Sequence, residues 1–408
     1  MGAIGQAGRK GEGVRSDCWV SFEQRDRGGV ELSLASKVAS MYGASIAESI
    51  PRWLRVLGVE HARVTVEDSG ALPFVLMARL ETAVKRAIPD LGAELLPDAA
   101  PATARGTSRD RFRRSRLYLP GNEPKFMVNA GLHGPDGVIL DLEDSVAPSE
   151  KDAARALVRN ALRTIDFAGA ERMVRMNQVP AGLLDLDWIV PHNVHVILIP
   201  KCETAEQVKA VDARVAEILA RHKIKSPVYL MPIVESALGC LNAYAIATAS
   251  PSVVALTIGL EDYTADIGTQ RTNEGRESFW ARSVVVNAAR AAGVQPIDTV
   301  FSDVADMAGL LASVLEAKSL GFDGKGCIHP RQIEVIHRGF TPTAAEIDKA
   351  KKIVLAFEEA QKKGLAVVAL GSKMIDPPVV KRAQRTVELA VAAGALPANW
   401  REGGGGNA

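Results

Sequence analysis

The amino-acid sequence predicts an α/β protein: a TIM-type (β/α)8 barrel preceded by a small α+β domain. Three observations lead there. The longer, second part alternates short apolar, β-branched runs with amphipathic helical stretches, eight runs in all, which is the strand count of a closed parallel barrel. Two of those runs, 228–234 and 253–258, break off in acid, at Glu235 and at Glu261 and Asp262. Ahead of the barrel pattern, a Pro/Ala-rich stretch at 97–109 sets off an N-terminal segment with strands and helices of its own.

Composition limits the function classes. The 408 residues exceed one ordinary domain and suit a barrel plus an appendage. A net charge of +1 offers no general attraction to nucleic acid or to an anionic membrane, so neither is expected as a partner. Cys18, Cys202, Cys240 and Cys327 are scattered without metal-ligand spacing and fit reduced thiols. The start of the chain lacks the apolar core of a signal peptide, and no apolar run approaches ~18 residues. A cytoplasmic protein is expected.

Taken in order, residues 1–13 are Gly-rich and expected to be disordered. Residues 20–23 and 30–34 read as strands of a hairpin turning at 25–29, with Val30, Leu32 and Leu34 on one face. A helical pattern at 35–57 is interrupted by Pro51, which begins a new turn. A strand at 61–67 and a helix at 72–88, striped by Val75, Leu76, Leu80 and Val84, complete a domain over 14–96. The linker is 97–109 and the barrel 110–340, with strands at 116–119, 138–142, 173–176, 196–199, 228–234, 253–258, 296–300 and 326–328. An open doubly wound sheet is disfavoured because no G-x-G-x-x-G follows the first strand. Helices at 343–364 and 379–393 fall in a C-terminal segment, 341–396, and 397–408 is a tail.

In a parallel barrel the loops at the carboxyl ends of the strands converge on one mouth. Charged residues close several predicted strands: Asp141, Glu143 and Asp144, then Arg175, Lys201, Glu235, and Glu261 with Asp262. One such acid is often just a solvated loop residue. A whole rim of charged strand ends points to an active site. Glu235 and Asp262, hard oxygen donors on neighbouring strands, form the kind of site Mg²⁺ prefers, the bland alternative being salt-bridged acids. Glu261 faces away from that site and supports a neighbouring loop.

Eight motifs then carry a resemblance. RSRLYLPG, VILDLEDSVAPSEK, VRMN, LIPK, PIVESALG, IGLEDYTADIG, GCIHP and GSKMIDPPVVKRA, in that order, resemble the citrate lyase β-subunit/malyl-CoA lyase family over residues 113–390. The resemblance implies a barrel that cleaves or forms a C–C bond β to a thioester, using Mg²⁺ on Glu235 and Asp262. It implies that Arg175 stabilises the thioester enolate, the alternative being a salt bridge to Asp141 or Glu143. It makes Arg114 a contact for the nucleotide or phosphate part of coenzyme A, the alternative being one more arginine in a basic run. Lys201 resembles a mouth-facing residue, which also raises a Schiff-base aldolase. Asp376 lies on a segment that acts in this family as a lid over a neighbouring subunit's mouth, where it would serve as general acid. Its bland reading is a helix N-cap ahead of Pro377 and Pro378.

The first domain resembles the citrate lyase γ subunit, an acyl carrier protein, through Val30-Glu-Leu-Ser-Leu, Tyr42-Gly43, Val64 to Leu72 and Met77-Ala-Arg-Leu-Glu. That family attaches a dephospho-CoA-derived prosthetic group to a serine in an acidic-Ser-(Ser/Gly)-Asp stretch. Ungapped, this chain has Arg15 at the attachment position; a one-residue gap brings in Ser16.

The expected activity is Mg-dependent cleavage of a citryl-ACP or citryl-CoA type thioester to acetyl thioester and oxaloacetate. Alternatives are a stand-alone malyl-CoA or citramalyl-CoA lyase on free CoA thioesters, and a non-catalytic carrier or scaffold subunit. Expected partners are the acyl thioester, further copies of the chain (trimer or hexamer) and a citrate lyase α-type subunit.

Overall fold

The computed structural model describes residues 2–362, 368–370 and 373–401. Part of the expected lid segment and most of the expected tail therefore lie outside the described residues.

The N-terminal sheet has strands β1 (Ile4–Gly8), β2 (Cys18–Gln24), β3 (Val30–Ser36) and β4 (Ala62–Asp68), with helices α1 (Ala39–Val56) and α2 (Pro73–Ala87). The strand order is β1-β2-β4-β3. The expected hairpin of β2 with β3 does not form. Instead β4 lies between them, antiparallel to β2 and parallel to β3. The physical reason is burial. Ala62, Val64 and Val66 of β4 are buried, while β3 is only half-buried, so the more apolar strand takes the centre. Helix α1 supplies the crossover a parallel pair requires. It buries Ile46, Ile50, Trp53 and Leu54 and runs through Pro51 as one helix, against the expected interruption.

The expectation of disorder over 1–13 is also corrected, because β1 pairs with β2 from Ile4 to Gly8. Glycine is needed there for close approach rather than for looseness. A side chain on Gly5 would stand 2.0 Å from the Ala83 carbonyl oxygen of α2.

Eight parallel strands close the barrel: β5 (Ser115–Pro120), β6 (Gly137–Asp141), β7 (Glu171–Arg175), β8 (Val196–Ile199), β9 (Tyr229–Val234), β10 (Ala255–Ile258), β11 (Gln295–Asp298) and β12 (Gly324–Cys327). Their apolar runs are short because each is buried on both faces. Inside, Ile139, Met173, Val196, Leu198, Met231, Ile233 and Ile297 fill the barrel. Outward residues such as Leu140, Val174 and Ile197 pack beneath the surrounding helices.

The small domain is fixed to the barrel. Phe74, Val75 and Ala78 of α2 belong to the barrel's own apolar cluster. Across the same contact, Arg159 donates to both carboxylate oxygens of Glu81 at 2.6 and 3.1 Å, with both side chains fully buried. The 97–109 stretch is held under the barrel, where Arg163 and Arg172 donate to the carbonyls of Pro97, Thr103 and Arg105.

Beyond the barrel, helices Ala344–Lys362 and Pro377–Ala392 pack together around Ile347, Val354, Val380 and Val387, with a two-stranded sheet, β13 (Val368–Leu370) and β14 (Lys373–Ile375), between them in sequence. No helix among the described residues is long and apolar enough to cross a membrane.

Candidate active site

The strand ends converge as a barrel requires. Asp141 ends β6, Arg175 ends β7, Lys201 follows β8, Glu235 follows β9, and Asp262 sits in the short helix Leu260–Asp266 after β10. A cavity of about 380 Å³ opens among them, lined by Asp141, Arg175, Glu235, Gly259 and Asp262 at the rim and by Arg116, Ile233 and Thr257 below.

One side of the mouth is an ion-pair chain. Arg175 grips Asp141 through two hydrogen bonds, Nε–Oδ1 at 2.6 Å and Nη2–Oδ2 at 2.7 Å. Its Nη1 lies 3.0 Å from Glu143 Oε2, and its guanidinium stacks on the Tyr118 ring, 5.4 Å to the centroid. Lys201 Nζ donates to Glu143 at 3.0 Å and lies 3.9 Å from Asp262 Oδ1. Burial alone would lower the lysine's pKa. The hydrogen bond to Glu143 and the charges of Glu143, Asp144 and Asp262 outweigh it and hold the ammonium protonated well above its usual range. A lysine so held is a poor imine-forming nucleophile, which counts against a Schiff-base aldolase.

The other side holds Glu235, 5 % exposed, whose Oε1 accepts from the Lys201 backbone N–H at 2.6 Å. Burial pushes its carboxyl up to about 8; that hydrogen bond opposes the shift and the charge of Asp262 adds to it. The strand after it makes room. A side chain on Gly259 would stand 2.4 Å from Glu235 Oε2, so glycine is required beside this carboxylate. Asp262 is more open, with 42 % of its side chain exposed. Glu261, which also lines the cavity, accepts from Arg271 and Ser302.

No group of three or more His, Cys, Asp or Glu among the described residues is arranged to hold a metal. Two hard carboxylates with room between them still fit magnesium, which takes one or two protein carboxylates and completes its shell with water and substrate oxygens.

Arg114, expected as a coenzyme A contact, is not among the residues lining the mouth. Arg114 precedes β5 and so lies at the amino end of that strand, roughly 20 Å from its carboxyl end for a six-residue strand. There its Nε and Nη2 donate to Asp136 at 2.9 Å each, and its backbone N–H donates to the same carboxylate. Alternation along β5 instead turns Arg116 and Tyr118 inward, a period-two signal present in the sequence. Asp376 is not among the residues lining its own barrel's mouth; its Oδ1 accepts from Val379 N at 3.2 Å as the N-cap of the last helix.

Ser16 sits in the turn between β1 and β2, half-buried, in left-handed backbone at φ 56°. Its N–H donates to the Ser69 carbonyl, and the next residue, Asp17, is held by Arg79 at 2.9 and 3.0 Å. Arg79 also donates to the Asn122 carbonyl at 3.0 Å, and Arg9 pairs with Glu123. The turn is thereby tied to the loop leaving β5, next to Pro120 of the mouth lining. Arg15, beside Ser16, is exposed.

Fold and mouth together define a (β/α)8-barrel enzyme with an acid-lined rim. Residues 114–330 match the model of the HpcH/HpaI aldolase/citrate lyase family, and the chain belongs to that family. Residues 9–87 match the model described as ACP, malonate decarboxylase delta subunit, which bears out a carrier-like domain through a different carrier from the one expected. The chain is 40 % identical to citrate lyase subunit beta of Leuconostoc mesenteroides subsp. cremoris over 288 residues, covering 69 % of this chain and 95 % of that protein. It is 36 % identical to mitochondrial citramalyl-CoA lyase of Homo sapiens over 290 residues, 68 % and 85 % of the two chains. Among solved structures it resembles protein CitE from Mycobacterium tuberculosis in complex with magnesium, acetoacetate and coenzyme A, with TM-score 0.56, 28 % identity and coverage of 69 % and 99 %.

Proposed function

We propose that this chain is a magnesium-dependent carbon–carbon lyase acting on a 3-hydroxyacyl thioester. The observation that carries the reading is the pair Glu235 and Asp262 on adjacent strand ends, facing Arg175 across one cavity. Glu235 and Asp262 would hold the ion, which supplies positive charge for the keto oxygen and carboxylate of the 2-oxo acid half. Loss of the C3 hydroxyl proton lets the C2–C3 bond break, leaving an enolate on the thioester. Arg175, kept in place by Asp141 and the Tyr118 ring, presents its guanidinium to that enolate oxygen. Asp376 of a neighbouring copy takes up that proton and returns it to C2. Lys201 holds Glu143 and Asp144 on the rim.

For a citryl thioester the products are acetyl thioester and oxaloacetate. The free-CoA reading is favoured by one feature: Ser16 is clamped through its backbone, and the exposed neighbour on the turn is Arg15. In this reading the chain works in the cytoplasm as a trimer or hexamer, alone or beside an α-type subunit. The carrier-like domain ends near residue 96 and the lid falls within 341–396.

Glu235→Gln and Asp262→Asn test the assignment. Each should abolish Mg²⁺-dependent cleavage of citryl-, malyl- and citramalyl-CoA, and retained turnover removes it. Intact-mass measurement of protein from its native host separates the substrates: added mass on the Ser16 peptide selects the carrier-bound thioester, and its absence in active protein selects free CoA.

A further inference from the structure

Beneath the acid-lined rim lies a cation that the lyase reading leaves without a task. Arg116 of β5 is 0 % exposed, yet its side chain forms part of the cavity wall below Glu235. Its Nη1 donates to Thr257 Oγ1 at 3.1 Å and touches Met231 Sδ at 3.0 Å. Its Nε and Nη2 have no hydrogen-bond partner, and no carboxylate lies within ion-pair distance among the described residues. Asp298, which also borders the cavity, is already engaged by Arg282 at 3.1 Å and Lys325 at 2.7 Å. An unpaired buried charge is costly, and an apolar side chain of similar volume would fill the same place at no such cost. A charge kept in that setting is expected to meet an anion that arrives with the ligand.

We infer that Arg116 is an anion subsite in the floor of the mouth, selecting a 2-oxo acid that carries a second carboxylate. The inference rests on the lyase reading. With the keto oxygen and first carboxylate held at the rim by the Glu235–Asp262 side, and the thioester leading out of the mouth, the far end of the oxo acid points down the cavity. A four-carbon dicarboxylic oxo acid brings a carboxylate to the stretch of cavity wall that Arg116 forms. Pyruvate places a methyl group there, and glyoxylate nothing, leaving the guanidinium unpaired. Discrimination of this kind is strong because the wrong ligand leaves buried donors unsatisfied.

The test is calorimetric binding of oxaloacetate and of pyruvate to the full chain, with Mg²⁺ and with chelator, in wild type and R116M. Wild type should bind oxaloacetate at least about tenfold more tightly than pyruvate in the presence of Mg²⁺. R116M should erase that preference, leave pyruvate affinity within about twofold, and unfold at no lower temperature, since it removes an unpaired charge. R116Q, neutral but able to keep the Thr257 contact, should lose the preference too. Equal binding of both acids by wild type, or a preference that survives in either variant, overturns the inference and leaves the lyase reading standing. Failure of both variants to fold assigns Arg116 to structure and likewise overturns it. If wild type binds neither acid in a Mg²⁺-dependent way, the lyase reading fails and the inference fails with it.

Discussion

Replacing Arg175 separates its structural duty from its chemical one. The side chain donates two hydrogen bonds to Asp141, which is 2 % exposed, and a third contact reaches Glu143. Arg175→Gln leaves Asp141 buried without its ion-pair partner, with only the more distant charge of Lys151 and the backbone N–H groups of Glu143 and Ser145 among the described groups acting on it. Removing one partner of such a pair costs about 3–5 kcal/mol, because the remaining charge is stranded. The cost depends on pH. Burial by itself would raise the Asp141 pKa, but the Arg175 hydrogen bond and charge outweigh burial and hold the carboxyl below its ordinary value. The stability this gives is present above the ordinary aspartate range and is lost as pH falls through the depressed value. The gap between wild type and Arg175→Gln should therefore narrow toward pH 3. Arg175→Lys keeps the charge and most of the stability but not the two-point grip or the fork that meets the enolate oxygen. It should unfold within about 1–2 kcal/mol of wild type, yet lose on the order of 10²–10³ in single-turnover cleavage. Denaturant titrations at pH 7 and pH 3, together with rapid-quench cleavage of a CoA thioester, read both quantities. Wild-type turnover in Arg175→Lys refutes the catalytic role and leaves only the ion pair.

Three further outcomes are expected. Asp376→Asn keeps an N-cap acceptor and should leave the last helix intact, while Asp376→Ala should cost it about 1 kcal/mol; both should lose cleavage, and an active Asn variant leaves Asp376 a cap only. His192 and His195 are pushed down to about 3 and about 4, first by burial and then by the charges of Arg159 and Arg172. Their contribution to stability is complete above pH 6.5 and lost as pH falls from there, at up to about 1.4 kcal/mol per unit for each; a flat denaturation profile between pH 6.5 and 5 contradicts this. Arg159→Met removes the buried partner of Glu81 at the join between small domain and barrel, where Lys85, at 2.8 Å, is its remaining ion-pair partner among the described residues. About 3 kcal/mol should be lost, with faster hydrogen exchange in α2, and unchanged exchange would mean the join is held by apolar packing alone.

The barrel was legible in the sequence because strands buried on both faces must be short apolar runs, and their ends are marked where polarity returns. The same edge placed Glu235, directly after one such run, and Asp262, in the short helix that follows the next, since the chain leaving a strand of this kind has only the rim to occupy. Strand pairing in the small domain was not legible. Both β2 and β3 alternate well enough for a hairpin, and only the competition for the buried centre, won by β4, decides the order. The glycines near the start looked like loose chain, whereas Gly5 marks a backbone pressed against α2.

What the sequence by itself determined was the kind of fold, the family and the two rim acids, because each depends on local pattern: period, run length and motif order. What only the tertiary structure decided were relations across the chain. It sent Arg114 to the far end of the barrel against Asp136, turned Arg116 into the floor of the mouth, and tied the Ser16 turn to the loop after β5. The physical reason is that a charged side chain's role is set by its counter-charge and its solvent, and both come from residues far away in sequence.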